Sequence, residues 1–259
     1  MSVSNPMRTR NLLLASLSER SWQRINLLLI PVLLPKDFLI ALKKEQVEYV
    51  YFPESGVGSV TLETDGVVAE AGVFGRDGFS PTVAAVGGDV SMHDIVVQIP
   101  GDGHRIDREA LTELLDQDRE LERVLTRFAH NFATQVSYTA LSNAANKIDV
   151  RLARWLLMCH DRVDGNGFHL THEYLAVMLA VRRPSVTDAL HILEGNGFIH
   201  STRNHIHIVD REGLEAFAGA SYGSPEQEYR TLMGTDTQGN SGKVKDGREQ
   251  HLSGASSKA

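Results

Sequence analysis

Arg182 and Arg183 stand side by side within Leu170 to Ile199, a segment that reads as helix, tight turn and helix. Thr171 caps a first helix whose apolar face is Leu175, Met178 and Leu179, small Ala176 and Ala180 permit a close helix crossing, and Val181 plugs the turn. Pro184 falls where the second helix begins, a position that tolerates its missing N–H. Val186, Ala189, Leu190 and Leu193 form that helix's buried side, and Gly195 and Gly197 end it. Arg183, Pro184, Thr187 and Asp188 are left pointing outward, a small and hydrogen-bonding set that suits base edges in a DNA major groove. Two strand-like runs follow, Phe198-Ile199-His200 and His205 to Val209. They make a wing whose tip residues, Arg203 and Asn204, suit backbone phosphates.

Other candidate chemistry is thinner. His205 and His207 share a strand face and amount to half a metal site at most, because no spaced Cys/His set of a structural zinc type accompanies them. Cys159 is the lone cysteine, which excludes an internal disulfide and a four-thiolate cluster, and its place on the inner side of a helix suits a small buried hydrophobe. A cupin-like metal enzyme with a C-terminal protein-interaction module is the competing reading. Its sensor half, Val47 to Ile106, holds only His93 and His104, too few for a three-histidine site.

The chain has 259 residues, 42% hydrophobic and 23% charged, ordinary for a globular protein of one or two domains. Its longest wholly apolar stretch, Leu27 to Leu34, is far short of a membrane span and contains Pro31; with no secretory signal pattern near Arg8 and Arg10, a cytoplasmic location away from any membrane is expected. The net charge of −7 is uneven. Lys147 to Arg211 carries +1 and seven of the eleven histidines, and the remainder carries −8. A near-neutral, histidine-rich module inside an acidic chain permits a phosphate-facing surface.

The elements that must position the arginines precede and follow them. Ser18 caps a short opening helix with Trp22, Ile25, Leu28 and Leu29 at helical spacing, stopped by Pro31. From Val47 to Ile106, short β-branched and aromatic runs such as 47–52 and 94–99 alternate with glycines, the texture of a sandwich or barrel. Between Asp107 and Val163 there is neither proline nor glycine, and a stretch of that length must divide into several helices. Within it Leu121, Leu125, Phe128, Phe132, Gln135 and Thr139 alternate spacings of four and three. The stripe serves either packing on its own domain or, the expectation adopted, pairing with a second copy through Leu121, Leu125, Phe128, Phe132 and Gln135. A further helix around 147–161 places Ile148, Leu152, Trp155, Leu156 and Cys159 on one side, and the polar stretch after Gly223 is expected to be disordered.

In this order the segments resemble the cyclic-AMP receptor protein and FNR (Crp/Fnr) superfamily of bacterial transcription regulators. Tyr51 to Gly56 resembles the sensor roll's strand and turn, Gly75-Arg76-Asp77-Gly78-Phe79 its approach to the ligand loop, and Asp118 to Leu141 its dimer helix. Lys147 to Leu157 looks like the helix that opens the family's DNA-binding domain. The resemblance implies an α+β fold: an N-terminal β-roll (a cyclic-nucleotide-binding-like jelly roll, 10–117), a long dimerisation helix (118–143), a C-terminal winged helix-turn-helix (144–222) and a tail (223–259). It implies a homodimer bound to double-stranded DNA, with RNA polymerase as a further partner and a small-molecule effector that is unidentified or absent, the roll then being a dimer scaffold. Arg183 matches the family's guanine-contacting arginine, and Arg182 and Ser185 fall at its phosphate contacts, joined here by Thr171, Arg203 and Asn204. Gly75, Arg76, Phe79, Thr82, Met92 and His93 mark the effector pocket. Where cyclic-nucleotide-binding members carry an Arg-Ser/Thr pair for the cyclic phosphate, this chain has Met92-His93, so cyclic AMP and cyclic GMP are disfavoured. Neither a catalytic residue nor a metal or cofactor is expected.

Overall fold

The computed structural model describes residues 8–202 and 204–234. In chain order the elements are α1 Leu12–Ser16, α2 Glu19–Asn26, β1 Ile30–Leu34, β2 Leu39–Ala41, β3 Tyr49–Pro53, β4 Val57–Thr64, β5 Val67–Phe74, β6 Asp94–Ile99, β7 Gly101–Asp107, α3 Arg108–Gln117, α4 Arg119–Ala145 and α5 Ile148–His160. They continue with β8 Gly167–His169, α6 His172–Met178, α7 Arg183–Gly195, β9 Ile199–Thr202, β10 His205–Ile208, α8 Arg211–Ala218 and α9 Ser224–Met233.

The roll is two antiparallel sheets, β1-β7-β3 and β2-β6-β4-β5. The runs read as strands at 47–52 and 94–99 fall on β3 and β6. Asp65 (φ 53°) and Gly66 (φ 75°) turn β4 into β5 with two left-handed residues, the backbone that a two-residue hairpin requires. Ser18 caps α2 as expected, accepting from the Ser21 N–H, but the helix stops at Asn26. Pro31 lies instead in β1, an edge strand, where its missing N–H breaks no ladder.

The stretch from 107 to 163 divides at Asp118 and again at Asn146 and Lys147. Asp107 and Asp118 cap α3 and α4 by accepting from the N–H groups of Ala110 and Leu121. The α4 stripe faces its own roll. Leu121, Leu125, Phe128, Phe132 and Gln135 are between 0% and 8% exposed in the single chain, buried against its own roll. Phe128 stacks in a row with Phe79 and Phe52 (ring centroids 5.4 and 5.7 Å), and Gln135 pairs with both the N–H and the carbonyl of Val73 on β5. Glycines make the approach possible. A Cβ at Gly78 would run into the Phe128 ring, and one at Gly72 would sit 2.8 Å from Gln135 Oε1. The dimer-interface assignment of these five residues is therefore corrected.

The disordered tail is corrected too, for its first residues. Ser224–Met233 is helical and packs on α4. Pro225 sits in its first turn, the Glu226 carboxylate accepts from the Gly223 N–H, and Gly234 ends it in the left-handed conformation. Tyr229 and Met233 meet the roll's core, the Tyr229 hydroxyl donates to the Asp77 carbonyl (2.8 Å), and Asn131 of α4 donates to the Pro225 carbonyl (2.8 Å). Residues 235–259 lie outside the described residues.

Candidate nucleic-acid interface

Helix α5 is the platform. Its residues 152–159 are buried without interruption, because one side meets α7 and α8 while the other meets the roll, where Val57 and Val73 join the same apolar cluster. Cys159 is inside it, and burial pushes its thiol up. Polar groups fix the joint to the roll. Glu70 of β5 is buried, accepts from Trp155 Nε1 (2.7 Å) and from the Ser59 hydroxyl, and burial pushes its carboxyl up to about 7. Arg162 grips Asp77 bidentately, at 3.0 and 2.6 Å. Asp164, after α5, takes Arg76 (2.7 Å) and Arg10.

On this platform the helix-turn-helix forms as its sequence dictates. Thr171 Oγ1 accepts from the Tyr174 N–H (3.1 Å) and caps α6. Ala180 turns the chain at φ 49°, the Val181 N–H returns to the Ala176 carbonyl (2.9 Å), and Arg151 of α5 donates to the Leu179 carbonyl at the same turn. Pro184 lies in the first turn of α7, and Val186, Ala189, Leu190 and Leu193 are its buried side. Opposite them, Arg182, Arg183, Pro184 and Asp188 are exposed, while Ser185 and Thr187 are half-buried. Thr187 Oγ1 is 3.0 Å from His172 Nδ1, and Arg183 Nε is 2.7 Å from Glu173 Oε1, so both α7 residues touch the first turn of α6.

The wing is a three-stranded sheet, β8-β10-β9. Thr202 pairs with His205, leaving a two-residue tip in which Asn204 has φ 63°. Arg203 lies outside the described residues. Between wing, α7 and the start of α6 runs a groove of about 550 Å³ lined by Thr171, His172, Glu173, Arg183, His191 and Asn204 among others. The structure thus gathers Thr171, Arg183 and Asn204 in one groove, with Arg182, Pro184 and Asp188 exposed beside it. The sequence reading missed Glu173 and His172, whose only signal was a polar pair just after a capping threonine.

The outer side of the wing sheet holds His205 and His207 over Gly167, with the His169 ring 5.0 Å from that of His205. No group of three or more His, Cys, Asp and Glu among the described residues is arranged to hold a metal ion. His93 and His104 belong to different sites, His104 beside Glu54 (3.4 Å) and His93 in the roll cavity.

That cavity, about 250 Å³ between roll and α4, takes Thr82, Met92 and His93 of the six expected pocket residues, together with Val60, Val83 and Phe132. The other three lie elsewhere. Phe79 is inside the core, Arg76 reaches Asp164, and Gly75 packs against Arg162. Among the described residues, no arginine or lysine lines the cavity. His93 is held below the usual imidazole range, by burial first and by Lys43 second.

Residues 150–217 match the Crp-like helix-turn-helix domain model. The transcriptional regulator LdrP of Thermus thermophilus is 29% identical over 136 residues, covering 48% of this chain and 70% of that protein. The fold is shared with FixK2 from Bradyrhizobium japonicum (TM-score 0.62, 19% identity, 74% of this chain and 98% of that one). It is shared as well with a Crp/Fnr-family regulator from Eubacterium rectale (TM-score 0.61, 18% identity, 80% and 97%). Residues 150–217 are thus a Crp-like helix-turn-helix domain, joined through a long helix to a roll, and the whole has the fold of Crp/Fnr-family structures.

Proposed function

We propose that the protein acts as a homodimeric, sequence-specific DNA-binding regulator that reads its operator with α7. The observation that carries this is the division of α7: its inner side is wholly buried on α5, and its first turns hold an exposed Arg182-Arg183 pair beside the wing groove. Arg183, Pro184, Thr187 and Asp188 are the base-facing set. Arg182, Ser185, Thr171 (through its hydroxyl hydrogen, the oxygen being used as cap), Asn204 and Arg203 are the phosphate-facing set.

The dimer seam is the outward side of α4. Thr126, Ala129, Ala133, Val136 and Ala140 repeat at spacings of three and four, with Thr126, Ala133 and Ala140 exposed in the single chain. RNA polymerase is the further partner that a regulator of this family would contact. In the roll, a cavity without lysine or arginine favours an uncharged, largely apolar effector over a cyclic phosphate, or none.

Selection from random DNA by the purified protein tests the reading. An inverted repeat with half-sites about one helical turn apart is expected. Arg183→Ala should then relax specificity at one base pair per half-site, and Arg182→Ala should weaken all sequences alike. No enrichment, with or without added effectors, would overturn the reading.

A further inference from the structure

Glu173 belongs to α6 and not to α7, yet its carboxylate reaches across to Arg183 Nε at 2.7 Å. The two side chains are 62% and 64% exposed, and exposed ion pairs of this kind add about 0 to 1 kcal/mol to a fold. Stability therefore does not account for the contact. A guanidinium is a planar fork with five N–H donors, and a carboxylate beside Nε restricts where that fork can lie while leaving its outer edge free. Both Nη groups of Arg183 are left without a protein partner among the described residues, and they form the edge that pairs with two adjacent acceptors, such as O6 and N7 of guanine.

The geometry points to Glu173 as a positioning residue for base readout: it pre-sets the Arg183 guanidinium so that its Nη edge meets a guanine in one orientation. This rests on the reading of α7 as the DNA-reading helix. The support under Glu173 is firm, since Thr171 caps the same turn and His172 holds Thr187 at 3.0 Å, so two reading-helix side chains are pegged by consecutive residues. Charge argues in the same direction. A carboxylate beside a polyanion weakens binding to every sequence alike, so what Glu173 contributes is discrimination rather than affinity. Holding Arg183 in place before DNA arrives also lowers the ordering entropy of a long, flexible side chain.

The test compares the selected operator with a copy in which only the Arg183-dependent base pair is replaced, reading the ratio of the two Kd values for the wild type and four variants. Arg183→Ala is expected to lower that ratio about tenfold, and Glu173→Ala by about threefold or more. In Glu173→Gln, which keeps an oxygen of the same reach beside Nε, most of the ratio should return. The double variant Arg183→Ala/Glu173→Ala should lose no more than Arg183→Ala alone. An unchanged ratio in Glu173→Ala would overturn the proposal, and so would tighter operator binding at an unchanged ratio, which would mark the pair as a contact that sequesters Arg183. If Arg183→Ala itself leaves the ratio unchanged, the base assignment of Arg183 fails and takes the proposal with it. A wild-type protein that selects no sequence defeats the functional reading first.

Discussion

Two arginine–carboxylate pairs in this molecule have the same chemistry and opposite uses. Arg162–Asp77 is bidentate and nearly out of water, its side chains 6% and 18% exposed, and it ties the loop after the roll's β5 to the end of α5. Arg183–Glu173 has a single close contact and stands in solvent. Burial decides the difference. A buried charge that loses its partner remains costly to hold, whereas an exposed one is taken up by water. The joint between roll and helix-turn-helix domain is thus built from polar groups that cannot let go cheaply, and the exposed start of α7 from a pair on which the stability of the fold depends little.

Asp77→Ala is the strongest way to break this comparison. It leaves the Arg162 guanidinium buried, with the Met158 carbonyl (2.6 Å) still accepting from it, and unfolding in urea should show a loss of about 3 to 5 kcal/mol. A loss under 1 kcal/mol would mean that the joint is wetter than its burial implies.

The Glu70–Trp155 contact of the same joint offers the next largest effect, with a pH signature. Its carboxyl titrates near 7 when folded, against the ordinary value of 4.5, so the folded protein binds the extra proton between those values. Stability from this group is therefore complete below about pH 4.5 and is lost as the pH rises through 7. Glu70→Gln keeps an acceptor for Trp155 and removes the titration. Thermal unfolding should show it more stable than the wild type at pH 8, on the order of 1 to 3 kcal/mol, with the gap closing by pH 5. A constant gap would sink the assignment.

On the exposed side, Arg183→Ala should shift unfolding free energy by no more than about 0.5 kcal/mol, measured in the same urea titration, even as it relaxes operator choice. A modest effect of opposite sign belongs to the turn between α6 and α7, where Ala180 adopts φ 49°. Ala180→Gly removes roughly 1 to 2 kcal/mol of left-handed strain and gives back up to about 1 kcal/mol through the freer unfolded chain, so a small net gain in Tm is expected.

How much of this was legible in the sequence follows the same division. The helix-turn-helix was readable residue by residue, because Thr171, Ala176, Val181 and Pro184 each have a local reason for their place. The partner of the α4 stripe was not. Spacings of four and three describe an apolar face equally well whether it meets a second copy or its own roll, and the clue lay far upstream in Gly72 and Gly78, which clear space for Phe132 and Phe128. Helix α9 was hidden by averaging: its anchors, Pro225, Tyr229 and Met233, recur every fourth residue but are diluted by a polar tail. Phe79 was misplaced in a pocket because a large aromatic next to a loop reads the same whether it lines a cavity or fills the core. Glu173 had no legible role, since the contact that gives it one joins two helices across a turn.

With α9 in place, the circumference of α4 can be divided. Successive residues step by about 100° around a helix, so the side chains of α4 fall into three sectors. Phe128 and its neighbours take one, against the roll; Arg127 and Asn131 take a second, where they donate to the Leu232 and Pro225 carbonyls of α9. The sector of Thr126, Ala133 and Ala140 is open, with Arg123, His130 and Ser137 exposed along its border. A second copy approaching along the proposed seam would meet side chains of one to three heavy atoms at its centre, bordered by Arg123 and His130, which would let two helix axes come to the near end of the usual 8 to 10 Å separation. Such a seam has almost no slack, so a bulkier residue at Ala133 would be felt along the whole helix, as a rigid rotation of one DNA-binding domain relative to the other.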